Sequence, residues 1–207
     1  TQQGLVNNIE VEIQLSDNTK TKYKGRIFFE MASKDLKHIY HYIAYNTFEQ
    51  GWDANGIFED IRKRYEITDK DTIVKENSLS KLRKSYQFFF NKHDSIIGHY
   101  FRHLYHMLMY LKETETSDKS AMDTKRIYAN YANFIQSQMS SSELFLLFYN
   151  CTCFPKMKEL VEYYDLLENL PKEDLIEESH QSFYGKELKS RDEIFTLHVE
   201  LSKNFSK

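Results

Sequence analysis

Residues that reverse a chain are scarce in this sequence. Six Gly and two Pro among 207 residues are too few for the frequent tight turns of a strand-rich sandwich or barrel, so long helices are the expected building blocks. A hydrophobic content of 41%, with fifteen Tyr and fifteen Phe, suffices for the aromatic-rich core of one domain. The fold class that follows is mainly α: a helical bundle-like single domain carrying a small N-terminal β-hairpin. Residues 1–24 read as an N-terminal arm or hairpin, and residues 25–207 as the helical domain.

Local patterning supports that division. Ile9-Glu10-Val11-Glu12-Ile13-Gln14-Leu15 alternates apolar and polar residues, and Ser16-Asp17-Asn18 supplies turn chemistry ahead of residues 21–24. From Arg26 to about Thr47 the period becomes helical, with Phe28, Phe29, Ala32, Leu36, Ile39, Tyr40 and Ile43 in one stripe and His38 and His41 on or beside the hydrated face. Further helices are expected over residues 53–65, from a Ser78 or Ser80 cap to about Phe90, and over residues 94–113. The polar run 113–118 should then be a connector. Over residues 126–138, Ile127, Tyr128, Tyr131, Phe134 and Ile135 form the apolar side of the next helix. Ser140 and Glu143 have capping-box spacing directly before the apolar residues 144–150. Pro155 opens a helix reaching Leu170, and the last helix covers residues 191–205, with Ile194, Leu197, Val199, Leu201 and Phe205 as its apolar content.

The helix over residues 94–113 carries the sharpest polar feature. Ile97, Phe101, Leu104, Tyr105, Leu108 and Leu111 share one side, while His99, Arg102, His103 and His106 fall within one opposite arc. A helix so largely apolar is expected to be buried, and its polar stripe must then meet acceptors. Glu143 and Asn150 share a stripe on a later helix and suit that role, with Arg102 facing Glu143 unless the carboxylate only closes its own capping box. His99, Arg102, His103, His106, Glu143 and Asn150 thus form a candidate buried polar cluster, read first as a structural network and second as a ligand or catalytic site. No catalytic residue is assigned from it. Three imidazoles at helical spacing permit metal coordination, but Arg102 among them repels a cation and no His-Glu-x-x-His or carboxylate cluster supports zinc. No metal and no cofactor are expected.

Other classes of function are narrowed by what the chain lacks. Walker-type phosphate loops, Gly-x-Gly-x-x-Gly and the Gly-x-Ser-x-Gly elbow are missing from the sequence, which argues against kinases, dehydrogenases and ordinary hydrolases. A net charge of -3 with dispersed Lys and Arg gives no footprint for non-specific nucleic-acid binding. The two cysteines, Cys151 and Cys153, are too few for a disulfide framework and fit a reducing cytoplasm. No apolar run approaches a membrane span, and the opening Thr1-Gln2-Gln3-Gly4 has no signal-peptide pattern. Helical ribonucleases of the HEPN type use an Arg followed after four to six residues by a His. Arg102 and His106 stand one residue too close for that pattern, whereas Arg191 and His198 fit its longest form and are an alternative nuclease pair.

Several segments together are similar to one family. Gly25-Arg26-Ile27-Phe28-Phe29-Glu30, the run His99 to His106, Tyr131 through Ser140-Ser141-Ser142-Glu143 to Asn150, and Phe154-Pro155-Lys156-Met157 through Leu170 occur in its order. On these residues the chain resembles the phage abortive-infection (AbiC-like) family of bacterial antiviral defence. The family pattern often has Arg where Gln136 stands. The resemblance implies a part in halting infected cells before phage progeny are released, and a parent protein whose transmembrane helices precede this cytoplasmic domain. Two readings follow: a sensing or interaction module with a phage-derived or host protein, or a second copy, as partner, and a HEPN-like metal-independent ribonuclease or toxin effector.

Overall fold

The computed structural model describes residues 2–14, 20–45, 56–71, 73, 75–118 and 124–204. A short helix α1 (Gln2–Asn7) leads into an antiparallel hairpin, β1 (Glu10–Gln14) paired with β2 (Lys20–Lys24), in which Glu10 lies opposite Lys24 and Glu12 opposite Lys22. Glu10 and Glu12 take ion pairs from Lys20, Lys22 and Lys24 across the ribbon. The expected hairpin is therefore present; its expected turn at residues 16–18 lies outside the described residues. Helix α1 was not expected from the sequence, and it is seated by Val6, which is buried beside the bundle.

Behind the hairpin the chain turns at Gly25, whose φ of 53° is left-handed, and enters α2 (Arg26–Tyr45). A side chain is disfavoured in that conformation, which explains the glycine. The expected stripe of α2 is buried, and Asp35 and Tyr42 are buried with it, while His38 and His41 are half-buried. The next helix, α3, spans Ile57–Arg64; residues 46–47 and 53–55 of the expected helices lie outside the described residues. Helix α4 (Ser78–His93) is capped by Asn77, whose side chain accepts from the Ser80 N–H, so neither serine expected as the cap performs that role. Asn77 fits the position because its short carbonyl reaches the orphan N–H groups of the first turn.

A π-helical turn, Asp94–Gly98, joins α4 to α5 (His99–Ser117). Helix α5 runs through the segment expected to be a connector, with the hydroxyls of Thr114, Thr116 and Ser117 bonded to carbonyls four residues back. Each hydroxyl thereby finds its acceptor within the helix, so these polar residues remain helical without an outside partner for the side chain. Helix α6 (Thr124–Gln136) corrects the expected apolar side: Tyr128, Ala132 and Gln136 are buried, whereas Ile127, Tyr131 and Phe134 are exposed. The buried row follows i, i+4 spacing, and Gln136 is admitted because its amide donates to the Leu166 carbonyl at 3.0 Å and accepts from Asn169 at 3.2 Å.

Helix α7 (Ser141–Cys153) is the centre of the bundle, buried without interruption from Glu143 to Thr152 and packed against α2, α4 and α8. Its Ser140 capping box forms as the spacing predicts. Pro155 opens α8 (Pro155–Tyr164), which ends at Asp165 with φ 55° rather than continuing to Leu170. Leu166, Leu167 and Leu170 are nevertheless buried, so their apolar spacing reflects core packing in an irregular stretch. Two 3-10 segments, Lys172–Asp174 and Glu178–Phe183, precede α9 (Arg191–Asn204). Ile194 and Val199 are half-buried there and Leu197 is exposed; the Leu201 side chain and Phe205 lie outside the described residues.

Candidate functional site

The six residues expected to form one buried cluster do not do so. On α5, Tyr100, Phe101, Leu104 and Leu108 are buried, but His99, Arg102 and His106 are exposed and His103 is half-buried. The buried arc of the helix is narrower than its apolar arc, so the polar stripe faces outward and needs no protein acceptor. Burial, with smaller contributions from the neighbouring imidazoles of His99 and His106, holds the His103 imidazole below its ordinary range. Among the described residues no group of three or more His, Cys, Asp and Glu is placed to hold a metal.

Glu143, fully buried, is engaged elsewhere. Its Oε1 accepts from the Tyr100 hydroxyl at 2.6 Å and its Oε2 from the Ser140 N–H at 2.7 Å, while the Arg26 Nε stands 3.6 Å away. Arg26, not Arg102, is its cation. Gly25 and Arg26 belong to the first family-like segment and Glu143 to the third, so these two segments meet at a structural junction between the start of α2 and the cap of α7. Asn150 donates from Nδ2 to the Tyr86 hydroxyl at 2.8 Å.

Two further polar networks lie inside the bundle, and the sequence did not signal them. His180 is fully buried in the 3-10 segment, with Nδ1 3.1 Å from the Tyr149 hydroxyl and Nε2 3.2 Å from Tyr40 and 3.1 Å from Ser78. Tyr40 donates to Glu177 and the Ile176 N–H donates to Tyr149, so His180 carries its proton on Nε2 and accepts at Nδ1 from Tyr149. In the second network Arg64 bridges Asp35 and Asp60, at 2.5 and 2.6 Å, and Tyr65 donates to Asp35 at 2.6 Å. His93 Nε2 lies 2.8 Å from the Tyr65 oxygen, and because the tyrosine proton is committed to Asp35, His93 is the donor. Burial raises the Asp35 carboxyl to about 6 and lowers the His93 imidazole to about 4. Apart from the Arg64 Nε, a buried donor without a partner among the described residues, these networks have little capacity left for a substrate and read as pins between elements.

A groove beside α5 is different in kind. It encloses about 360 Å³ between the α4–α5 junction and the α7–α8 corner, with Phe90, Phe101, Tyr105 and Met157 as its apolar lining. Phe154 stands at one side, 42% exposed and with its ring 5.6 Å from that of Phe90. A Cβ on Gly98 would lie 3.2 Å from the Phe90 ring, so the glycine gives this ring its place. Arg102 and Lys156 border the groove and are exposed; among the described residues neither is paired with a carboxylate. Asn150 also faces the groove, and its bond to Tyr86 leaves the carbonyl oxygen and one N–H without a partner among the described residues. An aromatic concavity with two uncompensated cations and a half-used buried amide has the composition of a binding site.

Arg191 and His198 both lie exposed on α9. The Arg191 guanidinium is bonded to Asp174. Neither residue lines the groove.

Residues 92–175 match the family model described as "putative phage abortive infection protein", the family the sequence resembles. The matched stretch runs from the end of α4 to just beyond α8 and contains Arg102, Asn150, Phe154 and Lys156, whereas α2 and its Arg26 lie outside it. No curated protein and no solved structure matches the chain significantly. Among the described residues, no helix is long and apolar enough to cross a membrane.

Proposed function

With the abortive-infection match over residues 92–175 as premise, we propose that this chain is the sensing or interaction module of a bacterial antiphage defence protein and that the groove beside α5 is its receiving surface. In this reading the module acts in the cytoplasm, joined to membrane-anchored segments of a parent protein, and the signal it receives comes from a phage-derived or host partner. One observation carries the reading: Arg102 and Lys156 border an aromatic groove within the matched segment, with no acidic partner among the described residues. Exposed cations without a structural task are available to a ligand. The ribonuclease reading on Arg191 and His198 has no comparable support, since that arginine is already engaged by Asp174.

The test is phage plating on cells producing the protein. Arg102→Ala combined with Lys156→Ala should abolish protection while leaving the melting temperature within about 2 °C of the parent, because exposed substitutions have small effects on stability. Lys63→Ala, an exposed cation on α3, should protect normally. Full protection by the double variant at normal abundance would overturn the proposal.

A further inference from the structure

The groove's chemistry is specific enough to name a ligand class. Its lining offers aromatic faces, its border offers positive charge, and its one buried polar side chain offers both a donor and an acceptor. Simple apolar ligands would leave Arg102 and Lys156 unused, and a bare anion would leave the aromatic surface unused. A ligand that uses all three parts has a flat aromatic body, a polar edge and a compact negative charge. We infer that the groove binds an adenine nucleotide, with the base stacked on the open face of Phe154 and the phosphates at Arg102 and Lys156.

Each part has a physical counterpart. Phe154 projects beside Phe90 with its ring partly open to solvent, and such aromatic faces stack on nucleobases. Arg102 presents a planar fork of N–H donors that matches phosphate oxygens, and Lys156 adds a point charge. Asn150 is held by its donation to Tyr86, and its remaining N–H and carbonyl oxygen can read the adjoining acceptor and amino group of adenine. Guanine presents two acceptors on that edge and would leave the Asn150 carbonyl unmatched. A cavity of about 360 Å³ lies in the range of small-ligand sites. A net charge of -3 with dispersed Lys and Arg suits a single nucleotide better than a strand.

This inference rests on the groove being the receiving surface, and its test separates the two. In calorimetric titration of the whole chain, ADP should bind, with adenosine and inorganic pyrophosphate each weaker by about tenfold or more because each supplies half of the recognition. Arg102→Ala and Phe154→Ala should each weaken ADP by about tenfold, and GDP should bind more weakly than ADP. Absence of ADP binding at millimolar concentration, or pyrophosphate binding equal to ADP, overturns the inference. Should ADP fail while Arg102 and Lys156 are still needed for protection, the groove remains the receiving surface and the nucleotide is wrong. Should ADP bind as expected while the double variant still protects, the site stands and its assigned role in defence falls.

Discussion

Glu143 shows how much one buried side chain can join. It closes the capping box of α7, accepts the Tyr100 hydroxyl from α5, and faces Arg26 at the start of α2. Replacing Glu143 with Ala removes the carboxylate half of the capping box, takes the Tyr100 hydroxyl's buried acceptor away and deletes the charge facing Arg26, a loss expected to be about 3 kcal/mol. Glu143→Gln retains one acceptor and should cost about half as much. Urea unfolding of the two variants checks the order, and equal losses would show that the carboxylate's charge matters more than its hydrogen bonds. The spacing of Ser140 and Glu143 made the cap legible, because a capping box is settled within three residues. The other partners were not legible: Tyr100 and Arg26 reach Glu143 only after three helices have packed.

At the level of elements, the π-helical turn Asp94–Gly98 decides what α5 shows to solvent. It sets the start of α5 against α4, with Tyr100, Phe101, Leu104 and Leu108 inward and His99, Arg102 and His106 outward. The 3.6-residue period correctly separated polar from apolar positions there, yet it carried no information on how wide an arc the neighbouring helices would cover. The same gap produced the shift of the buried face of α6 from Ile127, Tyr131 and Phe134 to Tyr128, Ala132 and Gln136. Gly98 tests this region. Gly98→Ala gains helix propensity of about 1 kcal/mol but places a methyl 3.2 Å from the Phe90 ring, and Phe90 is half-buried with open groove beside it. The ring should therefore shift into the groove. Stability is expected to stay within about 1 kcal/mol of the parent, while ADP affinity falls; an unchanged affinity would mean that Phe90 moves elsewhere.

Over the whole molecule, buried titratable groups link stability to pH. Burial lowers His93 and His38 to about 4 from an ordinary 6.5, so between those values the unfolded chain binds more protons and stability rises with pH. Asp35 acts in the opposite direction: its carboxyl, raised by burial from 3.8 to about 6, favours the fold below the lower value and loses that contribution as pH rises through the upper one. Two imidazoles outweigh one carboxyl. Unfolding free energy is expected to increase from about pH 4.5 to 6.5 and then level off, with His93 contributing on the order of 2 kcal/mol. His93→Phe should flatten the slope in a series of urea titrations, and a slope that persists unchanged would exclude His93 as a source.

What the sequence determined by itself was local. The helical class, the hairpin, the buried stripe of α2 and the Ser140 cap each depend on residues within a few positions of one another, where backbone geometry and hydrophobic period act directly. Tertiary structure alone decided the rest. His180 and Tyr40 meet across 140 residues, and Asp35, Tyr65 and His93 become one chain of hydrogen bonds only through the packing of three helices. The groove is likewise a product of assembly: its aromatic residues come from α4, α5 and the α7–α8 corner, and no local pattern specifies the space left between helices once their cores have been filled.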